Sequence, residues 1–182
     1  MTASQPPALV VRASREADIP AITAIYAPAV LTGTASFEYD PPDEAEMARR
    51  RAAILADGFP YLVAEKDGAI LGYAYAGKYR PRHAYRFTVE DSIYIAPEAQ
   101  GLGVGRALLA RLIAECGTLG LRQMIAVIGD TASAGSIALH ASLGFVHAGR
   151  MEKIGWKFGR WVDQVLMQRP LGPGHSEPPA GA

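Results

Sequence analysis

Seven consecutive residues, Gln100-Gly101-Leu102-Gly103-Val104-Gly105-Arg106, set three alternating glycines between an amide and a guanidinium. Glycines after an apolar run let the backbone turn without Cβ clashes. Free N–H groups at the start of a following helix can then converge on an anion, and the helix dipole adds attraction. A pyrophosphate fits such a cradle. Two other phosphate loops fail on spacing. A dinucleotide fingerprint needs glycine at its first, third and sixth positions, and counting from Gly101 the sixth is Arg106. The nucleotide-hydrolase loop ends in Gly-Lys-Ser/Thr, which is absent here. Arg106 either adds charge to the cradle or is solvated, and the plain alternative for the whole stretch is an ordinary glycine-rich connection.

A second constellation lies just upstream. The segment "GKYRPRHAYRF" sets Arg80, Arg82 and Arg86 beside Tyr79, Tyr85 and Phe87, immediately ahead of Glu90. A free amino acid offers a carboxylate that arginine can grip with two hydrogen bonds, while a carboxylate across the site receives its amine. That division of labour fits an amino-acid acceptor; the competing reading is a solvated basic turn. Cys116 is the single cysteine, so neither an intramolecular disulfide nor a paired-cysteine metal site is available, which fits a reducing cytoplasm. No metal is expected.

These groups need elements to hold them. "ALVVRAS" reads as a strand, with Asp18 as N-cap of a helix that tolerates Pro20 in its first turn and buries Ile22, Ile25, Tyr26 and Ala29. "LTGTASFEYDPP" is a loop, and "DEAEMARRRAAILADG" a second helix with an acidic start and Gly58 at its end. "YLVAEK", the turn "DG" and "AILGYAYAGKY" form a hairpin, and "RFTVEDSIYIA" is a fourth strand running into the glycine loop. Beyond it, "GRALLARLIAEC" buries Leu108, Leu109, Leu112, Ile113 and Cys116 on one helical face. "MIAVIG" is a short strand, "SAGSIALHASLG" another helix, and "FVHAGRMEKIG" and "RWVDQVLMQRP" two final strands. The order is strand, two helices, three strands, helix, strand, helix, two strands. It predicts a mixed α/β sheet, mostly antiparallel and flanked by helices.

The 182 residues, 49% of them hydrophobic, suit one domain over 1–169, followed by a disordered tail over 170–182 in which "GPGHSEPPAGA" dominates. Eighteen basic and eighteen acidic side chains cancel, so no overall positive field draws the protein to nucleic acid or anionic lipid. "MTASQPPALVV" has neither a charged leader nor a long apolar core, and no other window approaches a membrane span. A small-molecule partner in the cytoplasm is the expectation.

The glycine loop, preceded by "SIYIAP", resembles the acetyl-CoA pyrophosphate loop of the GNAT superfamily of N-acetyltransferases, whose pattern is Gln/Arg-x-x-Gly-x-Gly/Ala. "FTVEDSIYI", "MIAVIGD", "SIALHASLGF" and "KFGRWVD" together resemble its phosphinothricin and methionine sulfoximine or sulfone acetyltransferase branch, from about Val10 to Gln168. The resemblance implies a GNAT-like sheet whose fourth and fifth strands splay apart. Ile93, Tyr94 and Ile95 would meet the pantetheine arm, and Gln100, Gly101, Leu102, Gly103, Val104, Gly105 and Arg106 would form the pyrophosphate cradle. Strand alternation sets Ile93 and Ile95 on one face and Tyr94 on the other. Ser133 stands where the branch commonly has asparagine contacting the pantetheine arm; serine keeps a donor and an acceptor but is shorter.

The same resemblance gives Glu90 and His140 catalytic roles. Acetyl transfer to an amine needs a neutral nucleophile, donors for a carbonyl oxygen gaining charge, and a proton for the departing thiolate. An isolated glutamate, with a pKa of roughly 4.3, is a poor base for an ammonium. Glu90 therefore has its pKa raised by burial, works through water, or holds the ammonium in place; its bland reading is a strand carboxylate salt-bridged to Arg86 or another base. His140, where many relatives have tyrosine, is either a proton donor near the CoA sulfur or a packing residue. A backbone N–H near Ile93 is the expected oxyanion donor. Phe37, Arg80, Pro81, Arg82, Asp91 and Ser92 join Glu90 as substrate-pocket residues; Phe37 is either a cover over the acceptor or a loop anchor. Trp156 and Trp161 build either a homodimer interface or intramolecular core. Cys116, on a core face, is no acyl-enzyme nucleophile, so transfer is direct. Other superfamily acceptors, such as protein amino termini, polyamines or aminoglycosides, would demand an acidic cleft or a peptide groove. A CoA-binding module without catalysis is the reading from another class.

Overall fold

A computed structural model describes residues 8–180. Its elements follow the expected order. β1 (Val10–Ala13) is followed by α1 (Ile19–Leu31) and α2 (Glu44–Ala56), then by β2 (Tyr61–Lys66), β3 (Ala69–Lys78) and β4 (Thr88–Ile95). The second half runs α3 (Val104–Thr118), β5 (Gln123–Gly129), α4 (Ala134–Ser142), β6 (Val146–Lys157) and β7 (Arg160–Pro170). All seven strands form one sheet, ordered β1-β2-β3-β4-β5-β7-β6. Only β4 and β5 run parallel. This is the mixed, mostly antiparallel sheet of the GNAT fold.

Local chemistry explains most boundaries. Asp43 caps α2 by accepting the Glu46 N–H at 2.8 Å. Asp67 and Gly68, both at positive φ, make the tight turn that the β2–β3 hairpin requires. Asp18 departs from expectation. It has helical backbone angles itself, and its carboxylate accepts nothing from the first turn of α1. It instead takes both Arg12 Nη atoms, at 2.7 and 2.8 Å, and the Arg15 N–H at 2.7 Å. A cap residue needs extended angles to reach its own helix, so Asp18 ties β1 to the helix entrance instead. The hydrogen bonds from Arg12 hold its carboxyl below the usual range, against the effect of burial.

The two faces of the sheet divide the helices. Tyr26 of α1 meets Tyr94 of β4 edge-on with ring centres 4.8 Å apart, and Tyr94 stacks on Tyr73 at 5.2 Å. On the opposite face Ile95 packs toward Leu108 of α3, through the space left by Gly72. The alternation expected of β4 is therefore present. Leu108, Leu109, Leu112 and Cys116 are buried as anticipated, while Ile113 is half-buried. Ala29, expected in the core stripe of α1, lies half-buried on the wall of a cleft.

β4 pairs with β5 only from Thr88 opposite Gln123 to Asp91 opposite Ala126. Beyond that point Ser92–Ile95 remain bonded to β3, and Val127–Gly129 to β7. The sheet opens there like a V. Past β7, Leu171 is buried and its N–H donates to the Arg122 carbonyl at 2.9 Å, inside the segment expected as tail. Residues 1–7, including the proline-containing start, and the last two residues of that tail lie outside the described residues. Among the described residues no helix is long and apolar enough to cross a membrane.

Gly72 marks how tightly α3 sits on this sheet. A Cβ there would lie 2.8 Å from Ile95 Cδ1 and 2.9 Å from the Tyr94 carbonyl oxygen. Gly72→Ala should cost about 1–3 kcal/mol of unfolding free energy, read as a lower urea midpoint, because the backbone at the mouth of the V must move.

Candidate active site

The open V leads into a cleft of about 800 Å³. One wall is α1, through Ile25, Pro28 and Ala29, and the floor is β4, through Ile93, Tyr94 and Ile95. The far end is the glycine loop, with Gln100, Gly101, Gly103, Gly105 and Arg106; Ser133, Ser136 and Leu139 close the side at α4. Gly103 is the N-cap of α3 at φ 81, where side chains are strained, and the first bond of the helix runs from the Ala107 N–H to Gly103 O at 3.1 Å. The N–H groups of Val104, Gly105 and Arg106 therefore precede any intrahelical acceptor and open onto the cleft's end. Two expected cradle residues do not line the cleft with their side chains: Val104 buries its own in the core and Leu102 leaves its own exposed. Arg106 donates from Nη1 to Ser142 Oγ at 2.8 Å while still lining the cleft.

The cleft matches an elongated thioester cofactor at three points. Its apolar midsection suits an alkyl arm. The edge of β4 from Ser92 onward has no strand partner on the β5 side, so its backbone groups can bond the amides of such an arm. The helix start can hold a diphosphate. Ser133 lines the midsection and donates its hydroxyl to Gly129 O at 2.7 Å, which leaves its oxygen as an acceptor toward the cleft.

A smaller compartment of about 210 Å³ continues from this one, sharing Ala35, Ile93, Tyr94, Ser133 and Ser136. It gathers Phe37, Glu90, Asp91, Ser92 and His140, five of the expected site residues. Thr34, Gly129 and Gln164 also line it and were not foreseen; no local signal in the sequence marks them. Phe37 is both a loop anchor and a wall of the compartment, its ring lying where a side chain at Gly155 would stand. Arg80, Pro81 and Arg82 are exposed and line neither compartment. The segment leaves β3 and passes through a short 3₁₀ turn over His83–Tyr85, which carries it into solvent. The Arg80 guanidinium rests over the Tyr79 ring, 5.2 Å from its centre. Arg86 lies over Phe87 at 4.4 Å.

The acidic pair at the hinge of the V is electrostatically uneven. Burial, and after it the charge of Asp91, pushes the half-buried Glu90 carboxyl above the ordinary range, while Arg80 pulls the other way. Asp91 is buried, and its Oδ2 lies 3.0 Å from His140 Nε2. His140 Nδ1 donates to the Ser136 carbonyl at 2.7 Å. Both ring nitrogens thus face acceptors, an arrangement that suits the imidazolium. Burial favours the neutral ring, but the hydrogen bond and charge of Asp91, aided by the Ser136 carbonyl, outweigh it and raise the histidine pKa. Cys116 lies buried, its thiol pushed up to about 12 by desolvation, so it offers no nucleophile.

The sequence profile of the acetyltransferase (GNAT) family matches residues 26–145. The chain belongs to the GNAT family. It is 60% identical over 172 residues to the phosphinothricin N-acetyltransferase of Alcaligenes faecalis, covering 94% of this chain and 87% of that protein. It is 41% identical over 169 residues to the L-methionine sulfoximine/L-methionine sulfone acetyltransferase of Pseudomonas paraeruginosa, covering 92% and 98%. A crystal structure of a phosphinothricin acetyltransferase from Sinorhizobium meliloti in complex with acetyl-CoA superposes with a TM-score of 0.92 at 51% identity, covering 96% of this chain and 94% of that one. This GNAT enzyme is an acetyl-CoA-dependent N-acetyltransferase.

The Asp91–His140 pair has a measurable consequence. A histidine whose folded pKa exceeds its unfolded value of 6.5 contributes stability that is complete below that value and is lost as pH rises through the folded pKa. Urea unfolding followed from about pH 6 to about pH 9 should show this decline, and Asp91→Asn should remove it. A variant that keeps the same slope would place the titration elsewhere.

Proposed function

We propose that the enzyme acetylates the α-amine of a small amino-acid analogue, with phosphinothricin, methionine sulfoximine and methionine sulfone as acceptors, by direct transfer in a ternary complex. The observation that carries this reading is the raised-pKa carboxyl of Glu90 in a compartment sized for such a molecule, opening directly onto the thioester end of the cleft. Relatives named for these acceptors support it.

Acetyl-CoA supplies the activated acyl carbonyl. Glu90 receives the proton of the acceptor's ammonium, directly or through one water, and the raised pKa brings it nearer to that task. The N–H near Ile93, on the unpaired stretch of β4, donates to the carbonyl oxygen as charge grows on it. His140, its pKa raised by the hydrogen bond and charge of Asp91 against the effect of burial, supplies a proton for the departing thiolate. Arg80, exposed but with its charge felt at Glu90, attracts the acceptor's carboxylate. The charge-neutral composition and the single buried cysteine suit a cytoplasmic enzyme.

Assembly completes the reading. Ile154, Trp156, Phe158 and Trp161 are each more than half exposed on the β6–β7 hairpin, so the tryptophans are not core. Trp156 and Trp161 meet edge-to-face at 5.3 Å. An apolar aromatic surface of this kind suits a homodimer. Sedimentation equilibrium should return twice the chain mass, and Trp161→Glu should shift the species toward monomer; a monomeric wild type removes the dimer from the proposal.

Free-thiol release from acetyl-CoA, measured with phosphinothricin, methionine sulfoximine, methionine sulfone, ordinary amino acids and a polyamine, tests the acceptor class. Turnover should concentrate in the first three. Glu90→Gln should lower turnover by about 10²–10⁴-fold while calorimetric CoA affinity stays unchanged. Full turnover in that variant would take Glu90 out of the reaction. CoA binding without turnover on any amine would favour a non-catalytic module.

A further inference from the structure

One charged side chain near the site has no place in the chemistry above. Lys157, the last residue of β6, is 2% exposed. Its Nζ donates to the carbonyl oxygens of Gly33 at 2.9 Å and Ser36 at 2.6 Å, and it lies 4.9 Å from the centre of the Phe158 ring. No carboxylate pairs with it among the described residues, although the charge of Glu38 is felt there. Burying an ammonium is costly, and a methionine would fill the volume without that cost. What methionine cannot do is donate to two carbonyls of an irregular loop at once.

That loop is the segment between α1 and α2. Gly33 and Ala35 line the cofactor cleft; Thr34, Ala35 and Phe37 line the acceptor compartment. The two carbonyls held by Lys157 bracket Thr34 and Ala35, and the second belongs to the residue before Phe37. Gly155 stands two residues before Lys157, on the same face of β6. A Cβ at Gly155 would overlap the Phe37 ring, whose Cδ2 it would approach to 2.8 Å. One face of β6 thus provides both a seat for the ring and a latch for the backbone leading to it. The other flank of the loop is tied independently to the helices, because the Tyr26 hydroxyl meets Ser36 Oγ at 2.8 Å and Glu38 Oε1 at 2.9 Å, and Arg50 holds Glu38 at 2.7 Å.

We propose that Lys157 is a positioning residue for acceptor specificity: by latching the Gly33 and Ser36 carbonyls to β6 it fixes Phe37 against Gly155 and so sets the size of the acceptor compartment. The inference rests on the reading that this compartment receives the acceptor. The diphosphate end of the cofactor cleft, built by α3, lies outside the latch's reach.

Steady-state kinetics on Lys157→Met should raise the acceptor KM by about tenfold or more and leave the acetyl-CoA KM within about threefold, because misplacement is confined to the loop. Gly155→Ala, which evicts the ring and leaves the latch, should move the same KM in the same direction. Lys157→Arg, which keeps donors for both carbonyls, should recover most of the acceptor KM. Hydrogen exchange of wild type and Lys157→Met, with no acceptor present, should show faster exchange confined to residues 33–39 and unchanged exchange in α3. If Lys157→Met does not fold, Lys157→Gln carries both comparisons. Parallel loss of both KM values, or loop exchange equal to wild type, overturns the latch. Silence of the wild type on every acceptor would count against the acceptor reading alone, since the exchange measurement still decides the latch.

Discussion

The site depends on where the only parallel pairing in the sheet stops. β4 and β5 bond from Thr88 to Asp91 on one strand and from Gln123 to Ala126 on the other, and then separate. An unpaired backbone group that is also buried costs roughly 1–3 kcal/mol, so a bare strand edge inside a protein is stable only if water or a ligand satisfies it. Opening the V therefore creates a free strand edge and the cleft beside it in one step. Everything else borders that gap: α1 closes one side, α4 the other, and the glycine loop ends it.

The last paired residue of β4 is also the electrostatic hinge. Asp91 belongs to the closed part of the sheet, faces His140 and raises the pKa of its neighbour Glu90, whose side chain lies on the opposite face. One buried carboxylate thus acts in two directions, favouring the charged form of a histidine and the protonated form of a glutamate. Burial is the larger cause of the raised Glu90 pKa, and the charge of Asp91 adds to it. Among the described residues Asp91 Oδ1 has no hydrogen-bond partner, which leaves part of its charge uncompensated at the compartment wall.

Local signals in the sequence read the elements well. Helical spacing found the buried face of α3, the Asp-Gly pair found the hairpin, and alternation found the two faces of β4. The glycine loop was legible because its chemistry is backbone chemistry and three glycines announce it. What escaped was contact across distance. His140 and Asp91 are 49 residues apart, and no periodicity joins them. Asp18 reads as a cap because a cap is local, yet its carboxylate goes to an arginine on the preceding strand. Arg80, Pro81 and Arg82 read as pocket residues because they precede Glu90 in the chain, but they are exposed and line neither compartment. Lys157 falls between the two strands expected at the end of the chain, and nothing in its neighbours marks its burial.

These long-range contacts order the site's assembly. Lys157 reaches Gly33 and Ser36 across 124 and 121 residues, so the wall of the smaller compartment is incomplete until β6 has joined β7 and β7 has joined β5. Loops closed over such separations form late, because their entropy cost precedes any contact that offsets it. The cofactor cradle is different in kind, being β4, its following loop and α3 in direct succession. The fold therefore combines a glycine loop specified by one continuous stretch with a smaller compartment specified by the finished sheet. Substitutions in the last hairpin can then reshape that compartment while the start of α3 stays as it was.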